Sequence, residues 1–290
     1  MGLVLLGAPA LTLPAVTGLA TLVAVSVVRG AGFAIVVVAV SALTATAMPA
    51  ERRGEGMGVL GVAATLPAVV MLPLGVWLAG RFGFAVVFAV AAAAALCPVL
   101  LVAAMPEGNG GPVSLRGMRR PAMRRPLLTF AGTAVAGGVA VAFLPGAVPA
   151  GVAVPALFLY SAAATVARWL AGRHADRHGA VGLLLPSVVV AALGTGAVAL
   201  TGSATAVLAG MTVLGAGFGL AQAASLNTML QRASREEYGP VSAAWNAAYD
   251  LGWGAGAVGI GVVVAALGHQ AAFAVTALVV LAVLPLARRA

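Results

Sequence analysis

Two charged residues stand inside long apolar stretches of this chain of 290 residues, where a charge can move a proton or bind an ion. Arg29 lies about ten residues into the apolar stretch 19–46, and Asp250 lies about ten residues into 241–267. At about 1.5 Å per residue, each is about 15 Å from its start, near the middle of a hydrocarbon layer of about 30 Å. A central Arg or Asp costs roughly 2.5–3.5 kcal/mol. We therefore expect both, as the only ionisable groups this deep, to face a cavity or a partner.

The polar residues near these charges predict a translocation path. The Asp250 carboxyl group can gain and lose a proton, and the change of charge would favour one conformation of the protein over another. For both Asp250 and Arg29, the alternative is a hydrogen-bonded residue that packs helices together. Four uncharged residues supply further hydrogen-bonding groups to a central cavity, or else bond between helices: Gln222, Asn227, Asn246 and Tyr249.

Composition places these residues in a membrane. The chain is 62% hydrophobic and 8% charged, with a mean hydropathy of +1.10, whereas soluble domains carry roughly 25% charged residues. A backbone embedded in lipid must satisfy its own hydrogen bonds, so apolar runs this long predict an all-α polytopic membrane protein. The net charge of +9 would favour nucleic-acid binding in a soluble protein. Here the arginines stand between apolar runs, so the charge indicates topology, and no nucleic-acid partner is expected.

Apolar runs and their breaks predict ten membrane helices. Their approximate ranges are 2–16, 19–46, 57–79, 84–105, 127–147, 150–171, 180–201, 204–230, 241–267 and 270–287. If the even-numbered helices end in the cytoplasm, fourteen arginines, Arg168 among them, lie on that side and only Arg81 lies on the other. By the positive-inside rule, both chain termini are then cytoplasmic. All 16 basic residues are arginine, and with the heavy use of Ala, Gly, Val and Pro this indicates a GC-rich bacterial genome, so a bacterial inner membrane is the expected location.

The chain carries an internal repeat with a shift of 185 residues. "GAGF" occurs at 30–33 and again at 215–218, and Gly83 and Gly268 match in the same register. We expect one glycine of each GAGF to pack against a neighbouring helix and the other to relieve strain or open space. Two copies in the same orientation predict parallel bundles, as found in transporters. The predicted division is a bundle at 1–105, a cytoplasmic linker at 106–126 and a bundle at 127–290.

Two loops carry a recognisable pattern. "AGRHADRHGA" (171–180) is similar to the cytoplasmic loop signature of the major facilitator superfamily, with matches at Gly172, Asp176, Arg177 and Gly179. "PAERRGEGMG" (49–58) is similar to another loop of that family, through Arg53 and Gly54. The resemblance implies that these residues form a conformational latch between access states.

The resemblance extends over the whole chain and implies function. The family has two six-helix halves, so the first bundle is predicted to correspond to helices 3–6 and to lack the first two. "MLPLGVWLAG" (71–80) loosely resembles an antiporter motif, and the chain resembles the small-molecule efflux branches most. The family resemblance implies a secondary transporter, with proton-coupled export of a small organic molecule by alternating access as the expected activity. The alternative is a truncated remnant that does not transport, or a membrane scaffold.

Other chemistries find little support in the sequence. His174 and His178 have the i, i+4 spacing of a metal pair, but Ala175 stands where a zinc hydrolase needs glutamate, so no metal is predicted. No Ser-His or paired-Asp set lies within the spans, so no enzyme is expected. No nucleotide-binding loop is present in the sequence, and no cofactor is expected. The expected partners are a small-molecule substrate, protons and the lipid bilayer, and the protein is expected to be a monomer.

Overall fold

The computed structural model describes residues 1–47, 59, 63, 78–79, 81–103, 120–234 and 237–288. Within these residues the regular structure is entirely helical. The α-helices are α1 (Gly2–Gly7), α2 (Leu19–Ala47), α3 (Phe84–Ala103), α4 (Pro121–Ala147), α5 (Ala150–His178), α6 (Leu184–Val198), α7 (Ala204–Gln231), α8 (Tyr238–Ala282) and α9 (Leu284–Arg288). Short 3-10 helices cover Ala8–Ala15 and Val181–Leu183. Within the described ranges, seven helices are long and apolar enough to cross a membrane. The prediction of an all-α polytopic membrane protein is confirmed.

The chain divides into two compact units. One comprises Met1–Ser41 and Leu66–Pro112, and the other comprises Ala42–Thr65 and Val113–Ala290. The predicted span 57–79 lies almost wholly outside the described residues, as do most of the predicted linker and the loop that holds Arg53 and Gly54. The count of ten spans therefore stays a prediction.

In the first unit, the predicted span 2–16 is wrong as a continuous α-helix. It is a six-residue α-helix followed by an eight-residue 3-10 helix. Pro9 stands at the start of the 3-10 helix and Pro14 inside it. Because proline has no amide hydrogen and clashes with the preceding turn, the two prolines disfavour a continuous α-helix here. Both short helices pack on α3.

The second unit is a helix bundle whose main contacts are α5 on α7, α6 on α7, and α4 on α8. Its core is built from large side chains that are essentially buried, including Phe130, Met211, Leu214 and Phe273. The predicted spans 241–267 and 270–287 are two helical segments of α8 joined at Gly268, where φ is 80° and ψ is 176°. This conformation is open to glycine and to almost no other residue.

Two helices of this unit are longer than the sequence predicts. Helix α4 begins at Pro121 rather than at 127, and α5 ends at His178 rather than at 171. Proline is favoured at the first position of a helix because its missing amide hydrogen would have no partner there. Arg177 and His178 lie in the last turn of α5, where positive charge complements the helix dipole. The apolar runs therefore mark the ends of these two helices only approximately.

Both glycines of the second GAGF pack, which corrects the expectation that only one would. Gly215 meets the backbone carbonyl of Tyr160 on α5, while Gly217 meets the backbone amide of Ala191 on α6. Residues two apart face different directions on a helix, so α7 uses them against two different neighbours. In the first copy, Gly32 contacts the backbone of α1, and Gly30 has no described residue within 4 Å of the position of a Cβ.

Candidate functional site

A cavity of about 270 Å³ lies within the second unit, among α4, α5, α7 and α8. Helix α5 contributes half of its wall, and aromatic side chains of α7 and α8 contribute most of the rest. The lining residues are Val141, Tyr160, Ser161, Ala164, Thr165, Arg168, Phe218, Gln222, Tyr249 and Trp253. The volume is close to the lower end of about 300–1,000 Å³ that is usual for small-molecule sites.

Close packing of α5 on α7 brings the polar and aromatic walls together. Gly215 and Gly219 of α7 lie against the carbonyl oxygens of Tyr160 and Ala164 of α5. A Cβ atom at either glycine would overlap those oxygens, so the two backbones can approach this closely only without a side chain. The side chains of Phe218 and Gln222, on the same helix, consequently reach the α5 wall.

Arg168 is the only cationic side chain that lines this cavity. Its Nη1 atom donates a hydrogen bond to Oε1 of Gln222 at 3.0 Å. Its guanidinium carbon lies 5.8 Å from the centre of the Trp245 ring, which is within cation–π range. Within the described part of the chain, no carboxylate forms an ion pair with Arg168. The guanidinium is thus partly buried and held by neutral groups.

The aromatic side chains around Arg168 are stacked and fixed in orientation. Trp245 stacks on Phe130 with a centroid distance of 4.5 Å and an interplanar angle of 5°. Its Nε1 atom donates to Oγ of Ser225 at 2.9 Å. Trp245 also stacks on Tyr249, and Tyr249 contacts Trp253 at 5.2 Å between centroids. This array leads from the core to the cavity wall.

Tyr160 lines the cavity, and its hydroxyl group is buried without a partner in the described chain. The side chain is only 4% exposed, and its oxygen has no hydrogen-bond partner among the described residues. A buried hydroxyl in that state costs free energy, so such groups are uncommon in native proteins. Gly137 makes room for it, since a Cβ there would lie 2.8 Å from the Tyr160 oxygen.

Of the predicted translocation residues, Gln222 and Tyr249 line the cavity. The side-chain amide of Asn227 donates to the backbone carbonyl of Ala223 at 2.9 Å. The side-chain amide of Asn246 donates to the backbone carbonyl of Ser242 at 2.8 Å. Each of these bonds stays within its own helix. Neither asparagine is among the residues that line the cavity, and a role for them in translocation stays a prediction.

The two charges singled out in the sequence lie elsewhere. Asp250 is exposed and does not line the cavity. Arg29, in the first unit, is half-buried, and its Nε atom donates to the carbonyl of Leu6 at 3.2 Å. This bond ties α2 to α1 and satisfies part of the guanidinium. The roles of both residues stay predictions.

The predicted latch 172–179 is helical rather than a loop up to His178. Gly172 is buried, and Asp176 and Arg177 lie in the last turns of α5. Gly179 ends the helix with φ 84°, a conformation that glycine adopts without strain. Helix α5 therefore connects this segment rigidly to the cavity wall, and the latch role stays a prediction.

His174 and His178 stack on one another with ring centroids 4.6 Å apart. The described residues contain no group of three His, Cys, Asp or Glu side chains that could hold a metal ion.

Sequence reasoning missed Arg168 and Tyr160. The sequence places Arg168 in a cytoplasmic segment and leaves Arg29 and Asp250 as the only deep charges, whereas α5 continues for ten residues beyond Arg168, to His178. At about 1.5 Å per residue that is about 15 Å inside the helix end. The available signal was the apolar triplet 169–171, which separates Arg168 from the charged run that follows.

Comparisons with known proteins agree with this architecture. The family model described as Major Facilitator Superfamily matches residues 1–257 and 151–289. No curated protein is similar enough to the sequence to count as a match.

Several solved structures have a similar fold. The fucose:proton symporter FucP of E. coli has a TM-score of 0.74 at 15% identity, over 99% of this chain and 82% of that one. The human organic anion transporter MFSD10 has a TM-score of 0.69 at 17% identity, over 99% and 75%. A bacterial homologue of the iron transporter ferroportin, in an outward-facing state, has a TM-score of 0.64 at 14% identity, over 99% and 80%.

Proposed function

The chain belongs to the Major Facilitator Superfamily, a family of membrane transporters, and we propose that it is a secondary active transporter whose small organic substrate binds beside Arg168. The observation that carries this proposal is the cavity itself. It places a guanidinium, an amide and two phenols among apolar side chains inside membrane-spanning helices. Polar groups at such depth are costly, and an apolar cavity with a few convergent polar groups is the usual form of a small-molecule site.

The bundle has features that suit alternating access. The contacts of α7 with α5 rest on glycine against backbone, so they present smooth surfaces at which helices can shift. Substrate bound in the cavity would touch four helices together and stabilise one arrangement of them. Transport then follows from a difference in substrate affinity between the arrangements.

Proton coupling is proposed for Asp250. It follows the cavity residue Tyr249 in α8, and a carboxyl group in an apolar helix can gain and lose a proton. A change of its charge within a membrane helix would alter the energy of each access state. Export is the proposed direction, because the sequence resembles efflux branches of the family most.

The proposed location is a bacterial inner membrane, with both termini in the cytoplasm and a monomer as the working unit. With Arg168 assigned to the cavity, thirteen arginines remain on the proposed cytoplasmic side, against Arg81 on the other. The positive-inside rule still gives the same orientation.

The test is accumulation of labelled compounds by the full chain in proteoliposomes with an acidic interior. The three compounds are benzenesulfonate, benzenesulfonamide and benzyltrimethylammonium. Each has one phenyl ring, and their charges are negative, neutral and positive, respectively. We expect at least one compound to accumulate inside the vesicles, and we expect a protonophore to abolish its accumulation. Asp250→Asn is expected to remove the dependence of accumulation on the proton gradient. Glu237→Gln, which removes a carboxylate outside the apolar part of the helices, is the matched control and retains transport.

Failure of the folded chain to accumulate any of the three would contradict the transporter proposal and favour the alternative of a scaffold that does not transport. Undiminished proton-driven accumulation by Asp250→Asn would remove the coupling role alone.

A further inference from the structure

We propose that the substrate is an organic anion, whose negative group binds the Arg168 guanidinium and whose flat apolar part packs on the aromatic wall of the cavity. This inference rests on the proposed function, because it assigns the chemistry of the ligand for the same cavity. Its basis is a cation that no carboxylate of the described residues pairs with, together with the different chemistry of the two cavity walls.

The guanidinium of Arg168 is only partly satisfied. It has five N–H donors, and one of them bonds to Gln222. A charge away from water is strongly destabilising unless it is paired, yet the described residues offer it no carboxylate. A ligand with a carboxylate or sulfonate group would supply the missing charge, and the planar fork of arginine fits two oxygens of such a group.

Gln222 is the residue that keeps this charge available. Its amide oxygen positions the guanidinium at 3.0 Å without neutralising it. The Trp245 ring also contacts the guanidinium without neutralising its charge. The hydrogen bond from Trp245 to Ser225 fixes the orientation of that ring. Neutral partners on both sides leave a positive site that an anion can enter and leave, which transport requires.

The two walls of the cavity differ in chemistry. On α5, Ser161, Thr165 and Arg168 follow one another at helical spacing along the cavity. The other wall is formed by the rings of Phe218 on α7 and of Tyr249 and Trp253 on α8. Such a cavity suits a molecule with one charged end and a flat apolar face.

Tyr160 lies at the other end of the α5 wall. It precedes Arg168 by eight residues, or about 12 Å along the helix axis at about 1.5 Å per residue. Its hydroxyl oxygen is buried and lacks a partner in the described chain.

The test measures binding of the same three ring compounds to the purified full chain, through thermal stability and tryptophan fluorescence. We expect benzenesulfonate to bind and raise the melting temperature, while benzenesulfonamide and benzyltrimethylammonium bind at least about tenfold more weakly. Arg168→Gln is expected to weaken benzenesulfonate binding by about 10- to 100-fold. Arg173→Gln removes the same charge from an exposed position of α5 and leaves binding unchanged.

Gln222→Glu separates binding from stability. The new carboxylate would pair with Arg168, so the ligand-free protein is expected to melt at the same or a higher temperature. The same pairing would weaken binding of benzenesulfonate by tenfold or more. A purely structural arginine would gain the stability and leave anion binding as it was, and that result would overturn the inference.

The failures of the two proposals are distinguishable. Binding and transport of the neutral or cationic compound without the anion, or anion binding by Arg168→Gln at wild-type affinity, would overturn the anion assignment and leave the transporter standing. Absence of both binding and transport for all three compounds would contradict both proposals.

Discussion

Arg168 of α5 donates a 3.0 Å hydrogen bond to Gln222 of α7, and the described residues offer it no carboxylate. The bond crosses a helix–helix contact whose backbones touch at glycines. It therefore has two roles: it joins two helices, and it positions a cation at the cavity wall. The predictions below separate these roles and test the packing that supports them.

The first prediction concerns the strength of this bond. Gln222→Leu removes the acceptor, and we expect the free energy of unfolding in detergent to fall by about 1–2 kcal/mol, since interhelical bonds in membranes are modest. In a cycle with Arg168→Met, the double variant is expected to lose less than the sum of the single losses. Additive losses in the thermal melts would mean that the two side chains are not coupled.

The second prediction concerns the support of Trp245. Ser225→Ala removes the acceptor of its indole Nε1–H and is expected to destabilise the protein by about 1–3 kcal/mol, because a buried donor is left without a partner. Ser242→Ala is the matched control, since that buried hydroxyl has no described partner. Its removal is expected to be neutral or slightly stabilising. Equal losses in the two melting curves would contradict the role of the indole bond.

The third prediction concerns the contact of α7 with α5. Gly215→Ala would place a methyl group against the carbonyl oxygen of Tyr160, so we expect a loss of about 1–3 kcal/mol and weaker ligand binding. Gly259→Ala, on α8, has no described atom within 4 Å and gains helix propensity. Thermal melts should show the first variant lowered and the second unchanged or raised. The reverse order would mean that the contact is loose.

The fourth prediction concerns the break in α8. Gly268 has φ 80°, and a Cβ there is strained whatever space surrounds it, so Gly268→Ala is expected to cost about 1–3 kcal/mol. Gly202→Ala, in a turn without positive φ, is the control. If both variants have the melting temperature of the wild type, the backbone at residue 268 is not constrained to a positive φ.

The sequence predicts the helices of the second unit well and their ends poorly. The predicted helix 204–230 agrees with the observed helix Ala204–Gln231 to within one residue. The agreement is close because Gly and polar residues bound that apolar run. By contrast, α5 extends to His178, because the charged residues after Ala171 continue the helix and do not end it. The 185-residue register also pairs Gly83 with Gly268, and both have φ near 80°, at 83° and 80°.

The site could be predicted only in part. Gln222 and Tyr249 stand out as polar residues in apolar runs, and both line the cavity. Asn227 and Asn246 stand out in the same way, but their amides bond to carbonyls four residues earlier in their own helices. Composition cannot separate these two outcomes. Arg168 lies close in sequence to the charged residues 173–178, which resemble a loop, so the sequence does not mark it as a residue inside a helix. The extension of α5 to His178 shows its position.

The most direct test of the central claim is the accessibility of the cavity to charged reagents. In a chain with Cys97→Ser, Thr165→Cys places a thiol on the cavity wall near mid-span, and Val166→Cys places one beside it on the exposed face. The rate of modification by anionic and cationic methanethiosulfonates is measured in membranes. We predict that the thiol at 165 reacts, faster with the anionic reagent than with the cationic one, and that Arg168→Gln removes this preference. An unreactive thiol at 165, or equal rates at 165 and 166, would contradict a positively charged, water-accessible cavity.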